Sequence, residues 1–392
     1  MHASTRTAEI PFAGIRRVFE KAARLEAAGA KVIHFEIGRP DFDTPPHVKE
    51  AAIEALHRGM VHYTPNIGIP ELRKALSDSL EQHKKVSYEP SAEIMITSGG
   101  QEAMYLSLQA LLEPGDEVLV PNPGYSQFYS CVQLAGGIAV PYLLRPRDGY
   151  APNPEVLGAL LSDRTRAMIL NSPHNPTGAV LISESVRRIC AFAQERGILV
   201  LSDEAYDRVL FEGSDFLSPA AVPGMKQSTI VWGSLSKTYA MTGWRIGYMA
   251  APEEIIAASI KIQQNVMLSV CSFAQAGAVA ALTGPQDCVE QMVAEFDRRR
   301  HLILEGIDRC PGLDCEVTPM GAFYVFVKHD FPEWTSPELA EHLLEKAHVA
   351  VVPGPSFGPA GQGYLRISYA TSYDDCREGM NRIEDCLARL KA

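Results

Sequence analysis

Lys237 lies in a segment of small and hydroxyl-bearing residues whose composition favours chemistry over packing. Serines, threonines and glycines surround it in residues 233–248, and Arg245 follows eight residues later. A lysine amine held among partly buried groups can form a Schiff base. The hydroxyls of Ser234 and Ser236 and the guanidinium of Arg245 suit the binding of a phosphate. Because a lysine on a solvated loop is the simpler interpretation, this segment alone does not decide the function.

Three more polar clusters each follow a predicted strand, at the end where open α/β sheets bind ligands. In the first, TSGGQE, the backbone of Gly99, Gly100 and Gln101 opens a helix and could bind an anion. The second, NSPHNPTG, contains Asn175 in a loop stiffened by two prolines. In the third, SDEAY, Asp203 directly follows an apolar strand. A carboxylate there is either a helix cap or a partner for a bound cation.

Several other motifs match only by their letters. SLSK at 234–237 has the SxxK spacing of acyl-transfer enzymes, but the companion KTG is absent, so that hypothesis is a minor alternative. GPSFG at 354–358 has the GxSxG spacing, yet no histidine follows its serine, which excludes a hydrolase triad. The sequence contains no GxxxxGK[ST], GxGxxG or HExxH motif. Nucleotide hydrolysis, Rossmann redox chemistry and zinc proteolysis therefore have no sequence support.

The elements that must position these clusters alternate between short β-rich runs and amphipathic helical stretches. The periodicity predicts strands at 31–36, 94–97, 117–120, 166–170, 198–201, 230–232 and 245–249. It predicts helices at 100–112, 124–135, 183–196 and 253–266. This alternation indicates βαβ units, and hence an α/β fold with a mostly parallel, seven-stranded sheet that helices flank on both faces.

The pattern changes at about residue 286. A long charged helix at 286–308 leads into short strands at 322–327, 349–352 and 364–368, and a final helix is predicted at 373–391. These elements indicate a smaller α+β domain. We therefore expect a large domain over 47–285 and a small domain formed by 1–46 and 286–392.

Composition excludes several classes of protein. The 392 residues carry 36 Lys and Arg against 47 Asp and Glu, a net charge of −11, which makes nucleic acid an unlikely partner. No apolar run approaches the roughly 20 residues of a membrane-spanning helix, and the charged N-terminus argues against a signal peptide. Eight cysteines form no CxxC and no zinc-ligand spacing. We expect reduced thiols, no metal, no membrane association and a cytoplasmic location.

Taken together, the clusters resemble one family: the pyridoxal-phosphate-dependent aminotransferases of fold type I, in the class I/II group that contains aspartate aminotransferase. The similarity covers about residues 30–370 in the family's order and spacing. The motifs that carry it are IGRPDFDTP, YTPNIGIPELR, PNPGY, NSPHNPTG, SDEAY, SLSKTYAMTGWRIGY and RISYA.

The resemblance implies pyridoxal 5′-phosphate as the cofactor, and it implies that Lys237, Asp203 and Tyr206 are the catalytic residues. Lys237 matches the Schiff-base lysine, which also moves the proton during the reaction. Asp203 matches the acid that pairs with the pyridine nitrogen and keeps the ring protonated. Tyr206 and Asn175 match the two donors to the phenolic oxygen, and Tyr125 matches the aromatic residue that stacks on the ring.

The resemblance also implies how the phosphate is held. Tyr63 would reach the phosphate from the other subunit, because the family's active sites lie at a homodimer interface. Pro123 and Pro176 fall where the family often has cis peptide bonds. The phosphate-binding residues of the same subunit would be Gly99, Gly100, Gln101, Ser234, Ser236 and Arg245.

Substrate recognition is implied in the same way. Arg366 matches the arginine that binds the substrate α-carboxylate as a fork, assisted by Gly38 and Asn175. The segment 264–270 lacks the arginine with which the best-studied dicarboxylate-specific subgroup reads a side-chain carboxylate. Arg39 is the nearest unexplained cation, and it either reads a substrate side chain or pairs with a surface acid. A neutral or broad range of amino donors is therefore expected.

The expected reaction is amino-group transfer from an α-amino acid to a 2-oxo acid by a ping-pong mechanism. Another reaction with the same cofactor is the main alternative: β- or γ-elimination, replacement or cyclisation. The cofactor-binding motifs cannot separate these outcomes, because all such enzymes share them. A non-catalytic amino-acid sensor is a further alternative, but no basic helix-turn-helix segment precedes residue 30.

Overall fold

The computed structural model describes residue 10 and residues 14–391. The N-terminal charges that argue against a signal peptide lie partly outside this range. The strands of the described chain are β1 (Ile33–His34), β2 (Ile94–Thr97), β3 (Glu117–Asn122), β4 (Ile138–Leu143), β5 (Thr165–Asn171), β6 (Leu199–Asp203), β7 (Thr229–Ser234), β8 (Gly247–Ala250), β9 (Leu313–Asp314), β10 (Tyr324–His329), β11 (Val349–Ala350), β12 (Val352–Pro353) and β13 (Tyr364–Ser368).

Helices connect most of these strands, and short 3₁₀ turns and one π-helix, Leu343–Ala347, complete the regular structure. The α-helices are α1 (Gly14–Ala27), α2 (Pro46–His57), α3 (Pro70–Lys84), α4 (Gly100–Leu111), α5 (Gln127–Leu134), α6 (Pro154–Gly158), α7 (Ser183–Arg196), α8 (Leu235–Thr238), α9 (Glu253–Val266), α10 (Ser272–Thr283), α11 (Asp287–Arg309), α12 (Ser336–His342) and α13 (Tyr373–Lys391).

The large sheet has seven strands in the order β2-β8-β7-β6-β5-β3-β4, which confirms the predicted α/β fold. Only β8 is antiparallel to its neighbours. In the parallel part, Asn171 of β5 lies opposite Asp203 of β6, and Asp203 lies opposite Trp232 of β7. This register brings the carboxyl ends of three strands side by side, where the polar clusters follow.

Helices cover both faces of this sheet because consecutive side chains of a strand point to opposite faces. Val118 packs with α4, α5 and α9 on one face, whereas the next residue, Leu119, packs with α7 on the other. Strands buried on both faces read as continuous apolar runs, which is why the sequence pattern revealed most of them.

Two smaller sheets lie outside the large one. An antiparallel sheet has the order β12-β13-β10-β9, and β1 pairs with β11 in parallel. The predicted strand at 349–352 is therefore wrong in part, because the chain changes sheets at Val351 and leaves two two-residue strands. The predicted strand at 31–36 is likewise shorter, since only Ile33–His34 is paired, and it pairs with β11 outside the large sheet, whose seventh strand is β4.

Other differences from the predictions have local causes. The strand predicted at 245–249 begins only at Gly247, because Arg245 has a left-handed φ of 58° in the preceding turn. The edge strand β4, the two-residue strand β9 and the helices α1, α2, α3, α6, α8 and α10 were not predicted. The sequence of β4, IAVPYL, is apolar, but Pro141 in its middle is a residue that only edge strands tolerate. No helix within residues 14–391 is long and apolar enough to cross a lipid bilayer.

Candidate active site

A cavity of about 750 Å³ opens at the carboxyl ends of β5, β6 and β7 and is closed on its far side by residues of β10 and β13. All but two of the residues predicted for the site line this cavity. The predicted residues that line it are Gly38, Arg39, Gly100, Gln101, Tyr125, Asn175, Asp203, Tyr206, Ser234, Ser236, Lys237, Arg245 and Arg366. The sequence clusters therefore meet in one place.

Lys237 lies in α8, the single helical turn that follows β7. Ser234 caps this turn, because its side-chain oxygen accepts a hydrogen bond from the backbone N–H of Ser236 at 3.2 Å. Lys237 Nζ donates to the carbonyl oxygen of Gly38 at 2.6 Å and forms no ion pair with a described acid. Burial and the nearby cations Arg366 and Arg245 lower the pKa of Lys237 to about 8, although Asp203 opposes this shift. A large share of this amine is neutral near pH 8, as a nucleophile requires.

Asp203 ends β6 on the floor of the cavity. Its carboxylate accepts a hydrogen bond from the backbone N–H of Ala205 at 3.1 Å. Burial raises the pKa of Asp203 to about 6, with a smaller contribution from Glu204, while the N–H of Ala205, Lys237 and Lys84 act in the opposite direction. A buried carboxyl with a raised pKa is one that lacks a close cationic partner.

Arg366 lies in β13, between β10 and β12, and is fully buried. Its guanidinium donates to Asn175 Oδ1 at 3.1 Å and to the carbonyl oxygen of Glu36 at 2.6 Å. The guanidinium carbon lies 4.4 Å from the ring centroid of Tyr324 and 4.9 Å from that of Phe357. The Nε atom has no hydrogen-bond partner among the described residues. The fork is thus fixed in place and retains an unused donor.

Glycine backbone and arginine meet at the opposite end of the cavity. Gly99 has a φ of 79°, and a Cβ at this position would lie 2.5 Å from Nη2 of Arg245. Arg245 donates to the carbonyl oxygens of Thr242 and Ser98, each at 3.1 Å. Gly100 then begins the 12-residue helix α4, whose first N–H groups face this end. A helix N-terminus next to a guanidinium favours an anionic group.

Two tyrosines occupy the walls. The hydroxyl of Tyr125 donates to Gln101 Oε1 at 3.3 Å, and its ring makes an edge contact with Phe128 at 5.5 Å between centroids. The hydroxyl oxygens of Tyr206 and Tyr324 lie 2.7 Å apart, and burial raises the pKa of Tyr206 well above its usual value. Tyr206 is therefore a neutral hydrogen-bonding group.

Two predicted residues do not line the cavity of this single chain. Tyr63 is 85% exposed. Gly99 instead stands behind the wall, where it allows the close approach of Arg245. Arg39 is exposed at the cavity, and no described acid forms an ion pair with it.

Sequence reasoning missed several residues of the site. Tyr324 and Trp232 were placed only in strands, and Glu36 was passed over in the segment FEIGRP although it is fully buried. Phe19 of α1 also lines the cavity and is half exposed. The available signal for Glu36 was an acid inside an apolar run two residues before Gly38. Asn122-Pro123 and Asn175-Pro176 are cis as expected, and Ser172-Pro173 is a further cis bond.

A lysine with a lowered pKa, a half-buried acid without an ion-pair partner and a helix N-terminus next to an arginine would fit an aldehyde cofactor that carries a phosphate. Comparison with known proteins gives the family: the chain belongs to the aminotransferases of class I and II, whose family model matches residues 30–383. It is therefore an aminotransferase that depends on pyridoxal phosphate, as members of the family do.

Similar proteins span nearly the whole chain. An aspartate aminotransferase from Pyrococcus abyssi is 41% identical, with 96% of each chain covered. An aromatic-amino-acid aminotransferase from Thermococcus litoralis is 39% identical, again with 96% of each covered. The structure of an aspartate aminotransferase from Thermus thermophilus with maleate has a TM-score of 0.94 at 38% identity, covering 99% of this chain and 100% of that one.

The side chains and charges of the cavity fit this cofactor independently of the comparisons. Lys237 offers an amine with a lowered pKa, which suits the aldehyde. Asp203 lacks the cationic partner that a protonated pyridine nitrogen would supply. The start of α4 and Arg245 offer donors and positive charge to the phosphate.

The lowered pKa of Lys237 predicts how fast the apoprotein takes up pyridoxal phosphate. Only the neutral amine attacks, so the bimolecular rate should rise about tenfold per pH unit up to about pH 8 and level off above it. Stopped-flow absorbance on the apoprotein would measure this rate. A rate that still rises tenfold per unit at about pH 10 would show an amine with the ordinary pKa of lysine instead.

Proposed function

We propose that the cavity performs amino transfer with Lys237 as cofactor attachment point and proton carrier, Asp203 as partner of the ring nitrogen and Arg366 as holder of the substrate α-carboxylate. One observation carries this proposal: a half-buried lysine without an acid partner lies in the same cavity as a half-buried acid without an ion-pair partner and a buried arginine fork with an unused donor.

Pyridoxal phosphate supplies, when bound, an electron-accepting ring that stabilises negative charge at the substrate Cα. The chain supplies the rest. Lys237 Nζ is suited to move the proton at Cα, because a pKa near neutrality favours both acceptance and return. Asp203 would hold a proton on the ring nitrogen, since a carboxylate largely shielded from water forms a strong charge-assisted hydrogen bond.

The remaining cofactor contacts follow from the same geometry. Asn175 Oδ1 is occupied by Arg366, so its amide nitrogen is the atom available to donate to the ring's phenolic oxygen. Tyr206 would donate to the same oxygen, and Tyr125 would stack on the ring. The phosphate would be bound by Gly99, Gly100, Gln101, Ser234, Ser236 and Arg245.

Substrate breadth is part of the proposal. The cations in the cavity are Lys237 and Arg245 near the cofactor position, buried Arg366 and exposed Arg39. The uncharged segment 264–270 does not line the cavity. Similar proteins are named for aspartate and for aromatic amino acids, so both classes belong in the test. We propose a neutral or broad donor range.

A panel of amino donors tests the reaction and its range together. A transaminase mixed with a donor changes the cofactor's absorbance to the pyridoxamine form, and a 2-oxo acid reverses the change. Release of ammonia in proportion to donor consumed would instead show elimination. Acidic donors outperforming neutral and aromatic ones would contradict the proposed range.

We further propose a homodimer with shared sites, supported by exposed apolar residues around Tyr63. Val61 is 59% exposed, and Val266 at the end of α9 is 60% exposed. The hydroxyl of Ser272 donates to the carbonyl oxygen of Met60 at 2.7 Å, which joins the two segments. Apolar groups gathered on one surface favour association. A second copy of the chain would cover them and bring its Tyr63 to the phosphate.

The dimer makes an oligomeric-state prediction. Sedimentation of active enzyme should show twice the 42.9 kDa of one chain, and activity in a species of chain mass only would contradict shared sites. Mixing Tyr63→Phe chains with Lys237→Ala chains should give heterodimers with one intact and one doubly altered site. With shared sites, the activity of the mixture should therefore exceed the mean activity of the two parent homodimers.

Two further expectations belong to the proposal. We propose that residues 47–285 form the cofactor domain and that 1–46 with 286–392 form the small domain, which is supported by the confinement of the large sheet to 94–250. We also propose a cytoplasmic location, supported by eight cysteines that are all free.

A further inference from the structure

A buried acid stands beside the arginine that would hold the substrate. Glu36 is fully buried and belongs to the cavity wall, and its carbonyl oxygen accepts from Arg366 Nη2 at 2.6 Å. Oε2 of its carboxylate has no partner among the described residues. The charge of Glu36 acts on Arg366, whose pKa burial lowers and Tyr324, Tyr206 and Glu36 raise.

This acid opposes the binding of a second carboxylate. A negative charge near Arg366 cancels part of the attraction that the guanidinium exerts on a ligand anion, and burial weakens screening. The other charged or titratable groups facing Arg366 are Lys237, Tyr125, Tyr206 and Tyr324. The three tyrosines are neutral, because burial raises the pKa of each.

His34 of β1 places a compensating charge on the far side of Glu36. Its Nδ1 lies 2.8 Å from Glu36 Oε1, and its Nε2 lies 3.1 Å from Oε1 of Glu26 on α1. Carboxylates only accept hydrogen bonds, so both ring nitrogens donate only if both carry protons. The hydrogen bond to Glu36 is the largest cause that raises the pKa of His34 to about 9, and Glu36 and Glu26 are the acids that face the ring.

We propose that His34 is a positioning residue for substrate binding, whose imidazolium balances the buried Glu36 carboxylate and leaves the charge of Arg366 to the carboxylate of the substrate. This inference rests on the proposed role of Arg366. It predicts that loss of the His34 charge weakens carboxylate binding only while Glu36 is charged.

Calorimetric titration of the holoenzyme with two unreactive carboxylates, 3-phenylpropanoate and succinate, tests this prediction. His34→Asn keeps a donor near the Nδ1 position and removes the charge. At about pH 7.5 the dissociation constant of His34→Asn should be about tenfold higher than that of the wild type, for each of the two carboxylates that binds the wild type. In the double variant His34→Asn/Glu36→Gln it should return to within about threefold of the wild type.

Glu26→Gln is the matched control, because it removes the other, half-exposed acid on His34 and should change the constant less than about twofold. A second measurement does not depend on the folding of the His34 variants. Between about pH 8 and 10 the wild type should lose affinity as His34 deprotonates, and Glu36→Gln should show a smaller loss.

Unchanged binding in His34→Asn, or a double variant as weak as the single one, would overturn the proposal. Arg366→Lys separates this failure from failure of the proposed function. If Arg366→Lys weakens binding while His34→Asn does not, only the role of His34 is wrong. If Arg366→Lys binds both carboxylates as tightly as the wild type, the role of Arg366 is wrong and that of His34 falls with it.

Discussion

Replacing Lys237 with alanine should lower the rate of amino transfer by about four orders of magnitude or more, because one side chain both attaches the cofactor and moves the proton. Steady-state assays with the best donor measure the loss. Cofactor should still bind through the phosphate and ring contacts, since those contacts do not involve the amine. Its absorbance should then be that of the free aldehyde.

Borohydride reduction of the wild-type holoenzyme provides the direct control. Peptide mapping should place the pyridoxyl group on the peptide that contains SLSK. Lys74→Ala is a suitable comparison, because this lysine is exposed on α3 and pairs only with Asp78, and it should leave rate and labelling unchanged. Label on any other lysine would contradict the assigned role of Lys237.

Arg366→Lys should reduce kcat/KM by about two orders of magnitude or more for every α-amino acid. Lysine keeps the charge but has no planar fork, so it cannot hold both Asn175 and the carbonyl oxygen of Glu36 while it binds a carboxylate. A misplaced carboxylate turns Cα away from the ring, which lowers kcat as well as affinity. Comparison of kcat/KM across the donor panel measures the effect.

Arg39→Ala is the contrasting variant. If Arg39 reads a side chain, acidic donors should suffer selectively and neutral donors should be nearly unaffected. Equal losses for all donors would mean that Arg39 supports the turn at Gly38 instead.

For Arg366→Lys, a decrease of kcat/KM confined to one class of donor would contradict a role at the α-carboxylate, because all donors share that group.

Much of the site could be predicted because its residues follow buried strands. Asp203 and the NSPHNPTG loop come directly after continuous apolar runs, and parallel strands bring their carboxyl ends to one edge. Lys237 could be placed for the same reason. The strand pattern placed these residues at one edge of the sheet, and the resemblance to the aminotransferase family supplied their expected roles.

The remainder depends on contacts that no local pattern records. His34 and Glu36 lie in a run that was predicted as one strand, and no pattern indicated that their side chains pair. The carbonyl oxygen of Glu36 accepts a hydrogen bond from Arg366, 330 residues away along the chain. Tyr63 is exposed on this chain, so its predicted role depends on a second copy. β4 was missed although its sequence IAVPYL is apolar, because Pro141 within the run argues against a strand and is tolerated here only at the edge of the sheet.

The two residues proposed to anchor the cofactor and the substrate belong to different sheets. Lys237 follows β7 of the seven-stranded sheet, whereas Arg366 lies in β13 of the four-stranded one. A mutation that shifts the smaller sheet would change where the carboxylate sits and leave Lys237 and Asp203 on the large sheet. Tyr206 and Asn175 would feel such a shift, because they contact Tyr324 and Arg366 of the smaller sheet. Donor preference can therefore drift during evolution without loss of the cofactor, and directed evolution of new donors should start in the smaller sheet and the loop from Glu36 to Arg39.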